Sequence, residues 1–309
     1  METYDAVVIG GGPAGITAAL YLVRSGVRTA LVEKLSPGGQ VLMTEEIENY
    51  PGFPKGIKGY ELVDKFVEHL SAYTVPRHSD EVRSITPQDG GYAIQVGEET
   101  LSAKTVLLCT GARYKHVGVP GEEQYLGRGV SYCALCDGNF FKGKHVAVIG
   151  GGNSALEEAL YLARLVDKVT LIHRREDFRG CKCYLNKCEV NPKVSIVRST
   201  VVEEINGDPF KGVTGVVLKN VKTGEKSELP VDGVFIFVGF EPVASFVPAA
   251  LERDKAGFVI TDCEMHTNLP GFFAAGDVRS KNCRQVATAV GDGATAATAA
   301  YAYLESLHV

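Results

Sequence analysis

The feature that most restricts how this chain can fold is that it repeats itself. Val8-Ile9-Gly10-Gly11-Gly12 returns as Val148-Ile149-Gly150-Gly151-Gly152, and Ala19-Leu20-Tyr21-Leu22 returns as Ala159-Leu160-Tyr161-Leu162. In the first copy, Asp5 to Glu33, an apolar run ends in a glycine turn. Apolar residues then recur at helical spacing, and a second β-branched run covers Thr29 to Val32. This is a strand, a crossover helix and a second strand, so two copies imply two α/β domains of one kind. A chain of 309 residues can give each a core of its own.

Between the copies the spacing predicts a helix over Gly59 to Leu70 and, over Thr105 to Gly111, an apolar strand ending in a turn. After the second copy, Val194 to Val197, Gly215 to Leu218 and Gly233 to Val238 read as strands. The tail from Gln285 to Leu304 carries Ala and Thr at helical spacing, interrupted by Gly291-Asp292-Gly293. Its small residues read as close helix packing rather than low complexity.

The glycine turns carry chemistry. Gly10-x-Gly12-x-x-Gly15 follows a strand and opens a helix, which suits a tight turn, close backbone approach to a pyrophosphate and a favourable helix dipole. Glu33, at the end of the next strand, can accept hydrogen bonds from a ribose 2′-hydroxyl, which argues for FAD or NAD and against a 2′-phosphate. In the second copy, Gly150-x-Gly152-x-x-Ala155, that position begins His173-Arg174-Arg175, with Arg179 beyond. Guanidinium groups there suit a 2′-phosphate, hence NADPH. The economical assignment is FAD in the first domain and NADPH in the second. In the tail, Gly276-Asp277 ends the apolar run Phe272 to Ala275, where Asp277 can bond a ribityl hydroxyl. Arg284-Gln285 then precedes a helix whose N-terminus can face the flavin. The FAD domain is therefore discontinuous.

Cys133-Ala134-Leu135-Cys136-Asp137 precedes the second glycine turn. Two cysteines at this spacing can close a disulfide, and beside two dinucleotide sites the pattern reads as redox-active. A zinc site needs a second ligand pair, and Cys181, Cys183 and Cys188 lack a tetrahedral pattern, so no metal is expected at Cys133 and Cys136, and those three read as ordinary reduced cysteines, with a redox or metal role as the alternative. Asp137 is placed to shuttle a proton to the outgoing sulfur, although an Asp at a helix start is also a common cap. A net charge of -5 gives no general attraction to nucleic acid or anionic membranes. The N-terminus lacks the basic region of a signal peptide and no long apolar run follows, so the expected location is cytoplasmic.

With these motifs on the page, the chain resembles the low-molecular-weight, bacterial-type thioredoxin reductases over nearly its whole length. The likeness includes Gly10 to Gly15, Pro37-Gly38-Gly39-Gln40, Glu48-Asn49-Tyr50-Pro51-Gly52, Cys133 to Gly138, Gly150 to Leu162, His173 to Arg179 and Gly276 to Ala287. The resemblance implies two Rossmann-like, three-layer ββα domains. The NADPH-binding one, residues 115–241, is inserted between the FAD-binding parts, residues 1–114 and 242–309. It implies FAD contacts at Gly10, Gly12, Pro13, Ala14, Gly15, Glu33, Lys34, Gly39, Gln40, Asn49, Val82, Thr110, Gly111, Ala112, Gly276, Asp277, Arg284, Gln285 and Val286. It implies NADPH contacts at Gly151, Gly152, Asn153, Ser154, Glu157, His173, Arg174, Arg175 and Arg179. Cys136 would lie nearer the flavin and Cys133 would attack thioredoxin, in a homodimeric enzyme. Leu135 stands where the family usually has a small polar residue, and Asn139 replaces the first of two or three aromatics, with Phe140-Phe141 following. The same chemistry on a peroxiredoxin-system or glutaredoxin-like protein is the alternative, and a redox-sensing flavoprotein a remote one.

Overall fold

A computed structural model of the protein describes residues 2–44 and 46–307. The chain divides into two compact units, Met1–Arg113 with Glu241–Val309, and Tyr114–Phe240.

In the first unit the strand Glu2–Ile9 lies between Thr29–Val32 and Glu99–Leu108, parallel to both. Arg77–His78 extends one side, and Phe272–Ala274, from the far end of the sequence, pairs with Glu99–Leu108. Side chains alternate along the central strand, as the pleat requires. Ala6 and Val8 pack against the helices Pro13–Arg24 and Val286–Ser306 through Ala18, Leu22, Ala296 and Ala300. Val7 and Ile9 face the antiparallel strands Val82–Gln88 and Gly91–Val96 through Val82, Ile85 and Ile94. Helices cover one face of the parallel sheet and β structure covers the other. The register places Ile9 opposite Val32 and Leu108, and Leu108 opposite Ala274. The loops at Gly10, Glu33, Cys109 and Ala275 therefore leave the sheet at one edge, the carboxyl ends of the strands, where such sheets bind ligands.

The second unit repeats the plan. His145–Gly150 lies between Lys168–Ile172 and Gly233–Phe237, again all parallel, with Val194–Val197 outside. Val146 and Val148 face the helices Asn153–Leu165 and Lys182–Val190, while Ala147 and Ile149 face the antiparallel strands Thr200–Asp208 and Gly212–Asn220. Even the turns correspond. Gly10 has φ +104° and a Cβ there would lie 2.4 Å from Cys109 O; Gly150 has φ +156° and a Cβ would lie 2.4 Å from Phe237 O. Both positions exclude a side chain for the same reason.

The helix expected over Gly59 to Leu70 spans Gly59–Ser71. Two expectations need correction. The strand expected at Thr105 to Gly111 is the longer Glu99–Leu108, because its first half pairs with Gly91–Val96 and its second half with Glu2–Ile9. Gly291-Asp292-Gly293 does not interrupt the tail, which is one helix, Val286–Ser306. A Cβ on Gly293 would lie 2.2 Å from Ala14 O, so this glycine lets two helices touch and does not break either.

Candidate active site

Cys133 and Cys136 are joined by a disulfide, with Cα atoms 5.3 Å apart. They bracket the helical turn Ala134–Asp137, which Cys133 caps in an extended conformation, and the Cys136 N–H donates to Cys133 Sγ at 3.2 Å. A backbone N–H aimed at that sulfur favours its thiolate when the disulfide opens. Ala134 is buried in the core and Gly138 backs onto Leu162 and Leu165, which fixes the turn to the helix Asn153–Leu165. Asp137 is held by a residue that no motif or spacing singles out. The buried Ser131 hydroxyl donates to Asp137 Oδ2 at 2.6 Å and accepts the Cys133 N–H at 3.0 Å. Upstream, the Tyr132 hydroxyl donates to the buried Glu122 carboxylate at 2.6 Å, which also accepts the N–H groups of Val117 and Gly118. Burial opposes ionisation of Glu122, but these hydrogen bonds outweigh it and hold the carboxyl below its usual range.

In the same unit, the Gly150 to Gly152 turn leads into the helix Asn153–Leu165, and a Cβ on Gly152 would meet no protein atom. Gly152, Ser154 and Arg179 line a cleft of about 100 Å³ with Tyr114 and Phe237. Arg174, Arg175 and Arg179 are exposed and make no side-chain hydrogen bond or ion pair among the described residues. His173 differs from them. It is only 5 % exposed, packs at a tilt against Phe178 with ring centroids 4.6 Å apart and bonds the Asp177 carbonyl through Nε2. Glu157 is exposed and accepts the Tyr184 hydroxyl.

In the first unit, Pro13 opens the helix Pro13–Arg24 and a Cβ on Gly15 would lie 1.8 Å from Gly10 O, which closes the turn tightly. A Cβ on Gly12 would meet nothing, so the space above it is open. Glu33 accepts the N–H of Gly11 at 2.8 Å and of Leu35 at 3.0 Å, leaving lone pairs on both oxygens. Gly39 approaches Gly12, and the Gln40 amide donates to Ala112 O. Asn49 Nδ2 donates to Gln285 Oε1 at 3.1 Å, and Val286 starts the tail helix. Thr110 donates to Val243 O at 2.6 Å, beside Gly111. Val82 is buried beneath, whereas Lys34 reaches away to Glu81 at 3.5 Å. Asp277 has one buried carboxylate oxygen without a hydrogen-bond partner. Burial raises its pKa, and Lys281 and Arg284 oppose that shift. Arg284 lies 4.2 Å over the Phe258 ring. Asp292 was not foreseen. It accepts the Gly276 N–H at 3.0 Å and pairs with Lys281 at 2.8 Å and Arg279 at 3.0 Å, so it holds the turn that presents Asp277.

The family described as pyridine nucleotide-disulphide oxidoreductase matches residues 4–293. Thioredoxin reductase of Treponema pallidum is 44% identical over 308 residues, 99% of each chain. The crystal structure of thioredoxin reductase from Streptococcus pyogenes is 46% identical and superposes with a TM-score of 0.92, covering 98% of this chain and 99% of that one. The chain belongs to the thioredoxin reductases. A more distant member, a ferredoxin-flavin thioredoxin reductase from Clostridium acetobutylicum, is 28% identical with a TM-score of 0.56, covering 100% of this chain and 99% of that one.

In this thioredoxin reductase one ring of the aromatic pair after the redox motif is buried and the other exposed. Phe141 is buried, packing edge-on against Phe235 at 5.1 Å. Phe140 and Leu135 are exposed on either side of Cys136 along the chain.

Proposed function

We propose that the protein is an NADPH-dependent thioredoxin-disulfide reductase. FAD is held by residues 1–114 and 242–309, NADPH by residues 115–241, and electrons leave through Cys133 and Cys136 to oxidised thioredoxin. One observation carries the reading. The Cys133–Cys136 disulfide shares a unit with a glycine turn beside three exposed arginines that no acidic group among the described residues engages. The fit of FAD to the other unit is supported by the open space over Gly12 and by the partnerless buried oxygen of Asp277, which suits a donor such as a ribityl hydroxyl.

Bound FAD supplies the two-electron carrier between the nicotinamide and the disulfide. Gly12 and the start of the helix Pro13–Arg24 receive its pyrophosphate, and Glu33 receives a ribose hydroxyl. Arg174, Arg175 and Arg179 bind the NADPH 2′-phosphate, with Ser154 and Asn153 at the helix N-terminus. Once the disulfide opens, the Cys136 N–H stabilises the thiolate on Cys133, which attacks the disulfide of thioredoxin. Cys136 then attacks the Cys133 sulfur, which releases reduced thioredoxin and restores the internal disulfide. Asp137, oriented by Ser131, exchanges the proton with the departing sulfur. Phe140 and Leu135 offer apolar surface to the incoming protein. The same reading takes the enzyme as a cytoplasmic homodimer, and no helix among the described residues is long and apolar enough to cross a membrane. The arginines favour NADPH over reduced ferredoxin as electron source. The test is NADPH oxidation by the purified flavoprotein, which should require oxidised thioredoxin and vanish in Cys133→Ser. Turnover supported by reduced ferredoxin but not by NADPH would overturn the reading.

A further inference from the structure

The three cysteines after the arginine loop separate into two kinds. Cys188 is fully buried, its thiol 3.6 Å from Leu156 O. Cys181 and Cys183 are exposed, and their sulfurs stand 2.9 Å apart. Cys181 stands at the N-cap position of the helix Lys182–Val190, where its carbonyl accepts the Tyr184 and Leu185 N–H groups at 3.1 and 3.2 Å. The hydrogen bond from Cys183 and then the backbone N–H groups of Cys183 and Tyr184 lower the Cys181 pKa, while that same contact raises Cys183. This asymmetry makes Cys181 the attacking sulfur and Cys183 the resolving one.

Cys181 is also tied to the nucleotide turn. Its N–H donates to Asn153 Oδ1 at 2.7 Å, and the N–H groups of Arg179 and Gly180 donate to Gly151 O at 2.9 and 3.1 Å. The backbone of residues 179–181 is thus a clasp on Gly151 and Asn153. Neither sulfur has a part in the chemistry assigned to Cys133 and Cys136.

We propose that Cys181 and Cys183 form a second redox site, which a hydroperoxide closes to a disulfide, and that closure loosens the clasp and weakens NADPH binding. The proposal rests on the NADPH reading above. The Cys181 thiolate attacks one peroxide oxygen, the O–O bond breaks, and the leaving hydroxide or alkoxide takes a proton, so Cys181 becomes a sulfenic acid. The Cys183 sulfur then attacks the Cys181 sulfur. An S–S bond forms, the S–O bond breaks, and water leaves with the Cys183 proton. The two thiols lose two electrons and the peroxide gains them. The sulfurs must approach from 2.9 Å to about 2.05 Å through a ring that contains one intervening residue, Lys182. The adjustment falls on the Cys181 backbone, whose N–H holds Asn153. Reduced thioredoxin, a dithiol and the product of the proposed reaction, can reopen the bond by exchange.

The test uses the intact flavoprotein, treated with hydrogen peroxide and then with a thiol-blocking reagent. Trypsin cleaves after Lys182, so a Cys181–Cys183 disulfide appears in mass spectra as two linked peptides. NADP+ affinity is measured by calorimetry before oxidation, after it, and after dithiothreitol. The expected result is the linked pair together with a Kd raised about two- to tenfold, the scale of one neutral hydrogen bond, and reversal by dithiothreitol. Cys183→Ser should stop at a sulfenic acid on Cys181 that dimedone traps. Unmodified thiols after peroxide, or the disulfide with an unchanged Kd, would overturn the proposal. So would a loss of thiol reactivity that a chelator restores and dithiothreitol does not, since that indicates metal capture. If the reduced enzyme fails to bind NADP+ at all, the nucleotide reading fails and takes the regulatory half of the proposal with it, while the peptide map still decides the redox half.

Discussion

Ser131→Ala isolates the positioning of Asp137 from its chemistry. Within the redox turn the hydroxyl donates to the Asp137 carboxylate at 2.6 Å and accepts the Cys133 N–H at 3.0 Å, with the Cys133 carbonyl oxygen as a further, longer contact at 3.2 Å. The first involves a charged group, worth about 1.5–3 kcal/mol, and the second is neutral, worth about 0.5–1.5 kcal/mol. Ser131 is 4 % exposed, so water does not readily replace the lost hydroxyl. The fold should therefore lose about 2–4 kcal/mol, read as a lower midpoint in denaturant. A positioned acid or base contributes about 10²–10⁴ in rate, and removing the Ser131 bond that orients Asp137 should forfeit about tenfold to a hundredfold of that in thioredoxin turnover. NADPH-driven reduction of ferricyanide, which draws electrons without passing the disulfide, should keep its rate. Ser131→Thr retains the hydroxyl and should recover most of the thioredoxin rate. If thioredoxin and ferricyanide rates fall together, or if Thr rescues stability without rescuing rate, then Ser131 does not act through Asp137.

Arg174→Ala with Arg175→Ala should lower kcat/KM for NADPH far more than for NADH. Each lost bond to phosphate is worth about 1.5 kcal/mol at these exposed positions, hence roughly tenfold apiece, and equal losses for the two nucleotides would sink the assignment. Cys136→Ser should accumulate a mixed disulfide with thioredoxin through Cys133, seen on a non-reducing gel, and trapping solely in the reciprocal Cys133→Ser variant would reverse the two roles. Glu158 has a buried, partnerless oxygen, and burial, with Glu157 adding, pushes its pKa from 4.5 up to about 7. The folded state thus holds this proton more tightly than the unfolded chain, so stability falls as pH rises from 4.5 through about 7 and the full cost stands above that. Glu158→Gln should raise stability on the alkaline side by about 1–3 kcal/mol and flatten the slope of thermal midpoint against pH; an unchanged slope would refute it.

What the sequence disclosed was local and periodic. The repeat revealed two α/β units because strand, turn and helix are each encoded within a few residues, and the Cys133/Cys136 spacing was legible because a disulfide at that separation needs only a turn. What it hid depended on where distant elements meet. Asp292 sits in a stretch that reads as a helix break, yet it pairs with Arg279 and Lys281 and binds the Gly276 N–H, contacts created only when the tail helix docks at the end of Phe272–Ala274. Ser131 offered no spacing signal because the turn at Ala134–Asp137 must first fold back to bring Asp137 over it. The cysteines at 181, 183 and 188 look like one cluster in sequence, but helical geometry sends Cys188 to the core and leaves the other two in solvent.

His173 shows how one scaffold separates two ligand preferences. It is the repeat-equivalent of Glu33, and both stand where the second strand ends beside the glycine turn. A Cβ on Gly11 would lie 3.0 Å from the Glu33 side chain, and one on Gly151 would lie 2.2 Å from the His173 ring, so each turn packs on the residue at that position. His173 continues the strand by one ladder bond, its N–H donating to Val197 O, and alternation then sends its ring inward. Burial, reinforced by Arg179, Arg175 and Arg174 against the bond to the Asp177 carbonyl, holds its pKa below the usual value and keeps the ring neutral at neutral pH. A carboxylate in its place would repel a 2′-phosphate, and a buried imidazolium would carry a desolvation cost. A neutral, packed ring avoids both and leaves the charge to Arg174, Arg175 and Arg179, which lie in solvent where a phosphate can reach them. The first copy, with Glu33 fixed by the Gly11 and Leu35 N–H groups, presents acceptors at the same point and so favours a ribose hydroxyl.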